Sequence, residues 1–333
     1  MRLFKVILSL LIASFTFGQD IHFSQFFHAP LLQNPANTGA FDGDFRGVFN
    51  QRTQWRSITD PYNTWDLTVD ARNIGNFNNL HGGLVFFKDA AGTSPLNTLS
   101  IMPTGAYDFY QNTDSTGKLS AGIQLGFTQK TINFDALVFD NQYNGSVFDP
   151  NLGNGESFAN DRSAYFDAHF GLNWTHRYSE EINYNAGFAI FHVTSPTETF
   201  FNDDVNLDRR FLIHAQGEYR IDPQWSAIPA FQWQSQGKYR ELLFGGMAKR
   251  ILQDRFGIYR AVYFGAFGRS KDAAYLVAAM DYDNWKAGIS YDINLSDLRP
   301  VSRSRGGFEM SVIYIFKGFK EIYEQHRICP NFI

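Results

Sequence analysis

From residue 44 onward, polar and apolar positions alternate with a period of two. Asp66, Thr68, Asp70 and Arg72 interleave with Trp65, Leu67, Val69 and Ala71. Lys118, Ser120, Gln124, Thr128 and Lys130 do the same with Leu119, Ala121, Ile123, Leu125 and Phe127, as do Lys286, Ser290, Asp292 and Asn294 with Trp285, Ala287, Ile289, Tyr291 and Ile293. Alternation sustained over about ten residues marks a strand with one apolar face. The pattern predicts fourteen strands, near 44–56, 62–72, 80–89, 96–111, 117–131, 163–178, 181–193, 208–222, 225–235, 238–249, 258–270, 273–282, 284–294 and 306–316. Many exceed the ordinary strand length of about 5–6 residues and match the roughly 9–11 that a tilted strand needs to cross a bilayer.

The connections carry a second signal. The long ones, 132–162, 194–207 and 295–305, are the fifth, seventh and thirteenth; tight turns at Ser179-Glu180, Asp222-Pro223-Gln224 and Asp283 are the sixth, eighth and twelfth. Segregation by parity is expected of an outer-membrane barrel, with short periplasmic turns and longer external loops. The ninth connection, at Gln236-Gly237, is short and the tenth, 250–257, is longish, against the trend. The predicted fold class is all-β: a transmembrane antiparallel β-barrel of about 14 strands. Closure leaves no unpaired edge in lipid. A soluble sandwich or propeller is the alternative, but no 40–50-residue repeat is present.

Composition agrees. Of 333 residues 17% are aromatic and 19% charged, too aromatic for disorder. The net charge of −4 favours no nucleic-acid partner, and a lone Cys329 excludes an intrachain disulfide. Residues 1–18, with Arg2 and Lys5 before an apolar run and small residues Thr16 and Gly18, read as a signal peptide, with the mature chain starting at about Gln19. The expected order is signal peptide 1–18, plug or rim segment 19–43, barrel 44–316 and periplasmic tail 317–333.

Segment 19–43 must dock: Phe23, Phe26 and Phe27 need burial, and Pro30 and Pro35 prevent a long helix. Asn34 precedes the second proline. It either plugs the lumen or packs on the periplasmic rim. Loop 132–162 is too apolar to be disordered; with loop 194–207 it supplies candidate partner-binding residues Phe134, Leu137, Phe139, Tyr143, Phe148, Phe158, Phe200 and Phe201. A self-packed lid is the alternative. Arg46, Arg52 and Arg56 on one strand beside Asp66, Asp70 and Arg72 on the next predict cross-strand ion pairs that brace the interior, or else a selective pore.

Catalysis finds little support. The eight histidines, His22, His28, His81, His169, His176, His192, His214 and His326, join no nucleophile signature, and His169 and His214 on lumen-facing positions read as polar filler. Phosphate loops and H-E-x-x-H spacing are missing. Asp135, Asp140, Asp149, Glu156 and Asp161 in the long loop invite calcium, but the EF-hand pattern is absent. No catalytic residue, cofactor or metal is assigned.

The run Phe23-Ser24-Gln25-Phe26, then Pro30, Asn34-Pro35-Ala36, Thr38-Gly39, Arg46 and Asn50-Gln51-Arg52 with Gln54-Trp55, resembles the PorP/SprF family of type IX secretion proteins. The likeness continues in Phe139-Asp140-Asn141-Gln142 and the tail Cys329-Pro330-Asn331-Phe332; Ile21 departs from it mildly. The resemblance implies an outer-membrane, non-enzymatic component of type IX secretion in gliding bacteria, anchoring adhesins or other clients. Implied partners are a secreted protein with a type IX C-terminal signal domain, the translocon or periplasmic peptidoglycan-linked components, and outer-membrane lipid. Alternatives are a transporter for small hydrophobic or nutrient molecules and, less favoured, a barrel hydrolase.

Overall fold

The structure, a computed structural model, describes residues 20–56, 60–75, 77–92, 96–112, 114, 116–134, 137, 139–149, 152–153, 160–200, 205–296 and 302–318. The expected signal peptide, Phe158, Phe201 and the tail beyond 318, with Cys329, lie outside them. So do Asp135 and Glu156 of the calcium reading.

Fourteen antiparallel strands form one closed barrel in sequence order. They are β1 (Phe45–Gln54), β2 (Tyr62–Ala71), β3 (Leu80–Ala91), β4 (Leu96–Gln111) and β5 (Gly117–Thr131). Next come β6 (Arg162–Arg177), β7 (Ile182–Phe191), β8 (Arg210–Arg220), β9 (Trp225–Gln236) and β10 (Tyr239–Arg255). The last are β11 (Ile258–Arg269), β12 (Ala273–Tyr282), β13 (Trp285–Asn294) and β14 (Arg305–Phe316). The seam is β1 on β14, from Phe45 opposite Phe316 to Thr53 opposite Phe308.

The tenth connection departs from expectation. β10 runs through Arg255, so the longish connection reduces to Phe256-Gly257. A bulge between Ile251 and Gln253 breaks the alternation there, which hides the strand's end from a period-two reading. This even-numbered connection is therefore a tight turn like the sixth, eighth and twelfth. The short ninth connection remains, at Gly237-Lys238.

The barrel is apolar outside and largely polar inside, apart from an apolar inner sector along β9–β12 that includes Leu243, Phe267 and Tyr275. On β2, Trp65, Leu67 and Val69 are each about half exposed, whereas Thr64, Asp66, Thr68 and Asp70 are buried. Ile123 and Leu125 on β5 and Ile289 and Tyr291 on β13 also face outward. Water would penalise an apolar belt of this extent; lipid would not. Among the described residues no helix is long and apolar enough to cross a membrane; the strands do the crossing.

Candidate functional site

Residues 20–43 run along the inside of the barrel, starting near the rim that carries the long loops and ending at the rim where β1 begins. The backbone amide of Asp20 donates to Gln236 Oε1 (2.9 Å) at the end of β9. Lower down, the amides of Ser24 and Gln25 donate to the two oxygens of Glu309 on β14 (2.7 and 2.9 Å). Asn34 Nδ2 donates to the Leu172 carbonyl (2.9 Å), and Gly39 N–H donates to Asp70 (2.8 Å). Thr38 and Thr104 hydroxyls are 2.9 Å apart.

The local sequence builds this path from short turns. Pro30 and Pro35 each open a helical turn, Pro30–Gln33 and Pro35–Asn37, where a missing N–H costs nothing. Asn34 is extended, as a residue before proline prefers, and its Oδ1 caps the second turn through Ala36 N–H (2.9 Å). The apolar side chains then find apolar sectors of the wall. Phe26 and Phe27 pack on Phe267, which stacks on Tyr275. Leu31 is fully buried with Val85 and Met102, a burial that contributes ~1.5–3 kcal/mol. Phe23, Phe26, Pro35 and Asn34 are buried, and Phe27 and Pro30 partly so. Wall glycines make room: a β-carbon on Gly122 would lie 2.4 Å from the Ala36 amide nitrogen.

Ion pairs join the same surfaces. Arg46 faces Asp70 in register and binds it through two nitrogens (2.9 and 2.7 Å), while its Nη2 also donates to the Asn37 carbonyl (3.0 Å). Arg52 does not pair with β2 as the strand order suggested. It faces Glu309 across the seam (3.1 Å) and reaches Asp292 on β13 (3.2 Å). Asp66 instead accepts from Asn50 (2.9 Å) and Thr68 (3.0 Å). Closure made the difference, because β14 is β1's other neighbour. Arg72 likewise donates to the Phe41 carbonyl (2.9 Å). Buried charges of this kind hold only when paired, and here each pair also grips the lumen segment.

At the long-loop rim, Tyr143 and Phe148 pair as a small antiparallel bridge, with Asn144 Oδ1 accepting from the Ser146 and Val147 amides (3.0 Å each). Tyr143, Val147 and Phe148 are exposed at this tip. Phe134 is half-buried against Phe200 of the next long loop (ring centroids 6.4 Å), and Leu137 and Phe139 are half-buried. Lys130 on β5 ties Glu198 of that loop at 2.5 Å. The candidate partner residues therefore divide into an exposed tip and a packed base.

Below the loops lies a cavity of about 290 Å³, lined in part by Asp20, Phe87, Tyr165, Phe191 and Arg210. In its wall stand Asp167, His169 and His192, whose donor atoms lie within 4.8 Å of one another. His192 follows β7 in a left-handed backbone conformation (φ 57°) that non-glycine residues seldom adopt. Burial alone would lower the His192 pKa, but the Asp20 and Asp167 carboxylates outweigh it and raise it to about 9. Burial opposes ionisation of Asp20 too, yet His192 and Arg210 keep its carboxyl well below the usual range. Sequence reading missed this cluster. Asp167 and His169 share a strand face, but His192 joins them only once β7 is in register with β6 and the Val193 amide donates to the Ala168 carbonyl (3.0 Å).

A serine–histidine contact does exist: His28 Nδ1 is 2.7 Å from Ser311 Oγ. Both are buried in the lumen, His28 on the segment itself and Ser311 on the inner face of β14, away from lipid.

A lipid-facing fourteen-stranded barrel whose interior is occupied by its own N-terminal segment defines an outer-membrane β-barrel protein. The sequence matches the family described as type IX secretion system membrane protein PorP/SprF over residues 15–314, and the chain belongs to that family. No curated protein matches it in sequence. The fold is similar to that of the toluene transporter TbuX of Ralstonia pickettii (TM-score 0.53, 12% identity, 87% of this chain and 94% of that one). It is also similar to the CymD monoaromatic hydrocarbon channel (TM-score 0.50, 11% identity, 87% and 93%) and to the toluene transporter TodX of Pseudomonas putida (TM-score 0.50, 9% identity, 86% and 92%). At these identities the likeness concerns the fold alone.

Proposed function

We propose that the protein is a non-enzymatic outer-membrane component of the type IX secretion system that works at its rims rather than through its bore. The filled lumen carries this reading: residues 20–43 bind β1, β2, β4, β6, β9 and β14 from within. In this reading 19–43 is a plug that follows a cleaved signal peptide 1–18, and 44–316 is the barrel. The long-loop rim faces the cell exterior and holds secreted adhesins or other clients through their C-terminal signal domains, with the exposed Tyr143–Phe148 tip as the contact. The opposite rim and tail 317–333 meet the translocon or peptidoglycan-linked components.

Affinity isolation from crosslinked, detergent-solubilised outer membrane tests this. A protein with a type IX C-terminal signal domain is expected to co-purify. Reproducible recovery of the barrel alone would overturn the anchoring role.

A second reading is a channel for small hydrophobic molecules. It is favoured by the cavity beneath the loops, where Leu32, Phe87, Met102 and Phe191 contribute apolar wall. Uptake of such a molecule by liposomes containing the intact protein would support it; none is expected.

A further inference from the structure

The Asp167–His169–His192 cluster poses a problem of charge. His169 points Nδ1 at the Gln124 side-chain oxygen (2.9 Å) and Nε2 at Asp167 Oδ2 (3.1 Å). His192 points Nδ1 at that same Asp167 Oδ2 and Nε2 at Asp20 Oδ2 (2.6 Å). Each ring thus faces an acceptor oxygen with both nitrogens. In the neutral form that a metal requires, an imidazole has one N–H to donate. If those protons go outward, to Gln124 and to Asp20, two nitrogen lone pairs and a carboxylate oxygen are left converging on one point. Two further protons crowded at a single carboxylate oxygen would satisfy them; so would one divalent cation.

We propose that Asp167, His169 and His192 bind a divalent transition-metal ion of the zinc class at the long-loop end of the lumen. The donor set of two imidazole nitrogens and one carboxylate oxygen is that of borderline metals, not of calcium or magnesium, which take oxygen. Tetrahedral donors roughly 2.0–2.1 Å from zinc stand about 3.3 Å from one another, so the present spacing needs only small side-chain rotations.

The surroundings are those of a metal site. Metal-bound histidines hand their outer N–H to a carboxylate or carbonyl that fixes ring orientation; here Asp20 does this for His192 and Gln124 for His169. Asp167 Oδ1 is held by the Thr194 hydroxyl (2.8 Å) and the Ala168 amide (2.7 Å), which aims Oδ2 at the rings. All three ligands are buried, and all three line the cavity. The fourth position opens there, to water or to a ligand atom of a bound partner.

The ion would clamp two pieces of structure. It joins β6 to the loop after β7. Through His192 and Asp20 it also fastens the start of the lumen segment, where Arg210 already lies 3.3 Å from Asp20. The inference stands whether or not the barrel anchors secreted clients.

The test uses the full mature chain, purified in detergent without metal-chelate chromatography, stripped with a chelator and titrated with Zn²⁺ against a chromophoric chelator. One zinc per chain is expected. His169→Gln and His192→Gln should each weaken binding at least a hundredfold, and Asp20→Asn by about 10- to 100-fold, the usual effect of removing such an outer partner. His214→Gln, a buried lumen histidine that contacts Asn34 instead, should bind as the parent does. Heat-modifiable gel migration reports whether each variant is folded. X-ray absorption of the zinc-loaded parent gives a readout without any variant, with two imidazole scatterers expected. Absence of zinc binding by the parent, binding unchanged in a folded double histidine variant, or a zinc shell with fewer than two imidazoles would each overturn the proposal.

Discussion

Asn34 and Gly171 meet so closely that a β-carbon at position 171 would lie 1.9 Å from Asn34 Oδ1. Asn34 is the hinge between the two proline-led turns of the lumen segment, so the bare backbone of β6 at Gly171 sets how the segment lies against the wall.

Gly171→Ala is therefore expected to push Asn34 off its site and break its bonds to Ala36 and Leu172. The cost of such overpacking is about 1–3 kcal/mol, read as a lower denaturation midpoint together with faster proteolysis within residues 20–43. Gly217→Ala is the matched control. A β-carbon there would find its nearest neighbour 3.6 Å away, and the change should stay within about 0.5 kcal/mol.

Asp70→Asn removes the charge that holds Arg46 and weakens the acceptor for Gly39. Arg46 is then buried without a counter-charge, at about 3–5 kcal/mol. Urea denaturation in detergent should show that loss. Arg46→Met combined with Asp70→Leu should cost less than Asp70→Asn alone, because no charge is left stranded.

Deleting residues 20–43 should turn a silent barrel into a conducting one. Planar bilayers with the intact chain are expected to stay at baseline, and the deletion variant should give discrete single-channel steps. Equal conductance in the two would mean that the segment does not seal the bore.

The barrel was legible from sequence because each strand must show lipid one face and the interior the other, which imposes a strict period of two. β4, β5 and β12 come out with their expected bounds. The signal fails at the β10 bulge, where one extra residue shifts the phase. Phe23, Phe26 and Phe27 made clear that the first segment must be buried, but not where. Its partners Glu309, Gln236 and Leu172 are far away in the chain and come near only on closure. His169 looked like filler for the same reason: its companions His192 and Asp20 arrive from another loop and from the segment.

The exposed tip gives a separable prediction. Tyr143→Ser and Phe148→Ser touch no buried contact and should leave stability within about 0.5 kcal/mol. If the tip holds the client, each should weaken capture roughly 30-fold, the effect of losing an aromatic hot spot worth about 2 kcal/mol. Undiminished pull-down from both variants would move the interface elsewhere on the loop rim.

The route of the lumen segment bears on assembly. Its leading end, at Asp20, sits by the far rim, yet its trailing end leads directly into β1, one of the two seam strands. A finished hoop would have to be threaded end to end to reach this arrangement. Folding is simpler if the thirteen successive hairpins curl around a thread already in place and the β1–β14 stitch comes last. Glu309 sits at that stitch, facing Arg52 across the seam and holding the Ser24 and Gln25 amides, so zipping the ring shut and gripping its filling become a single event.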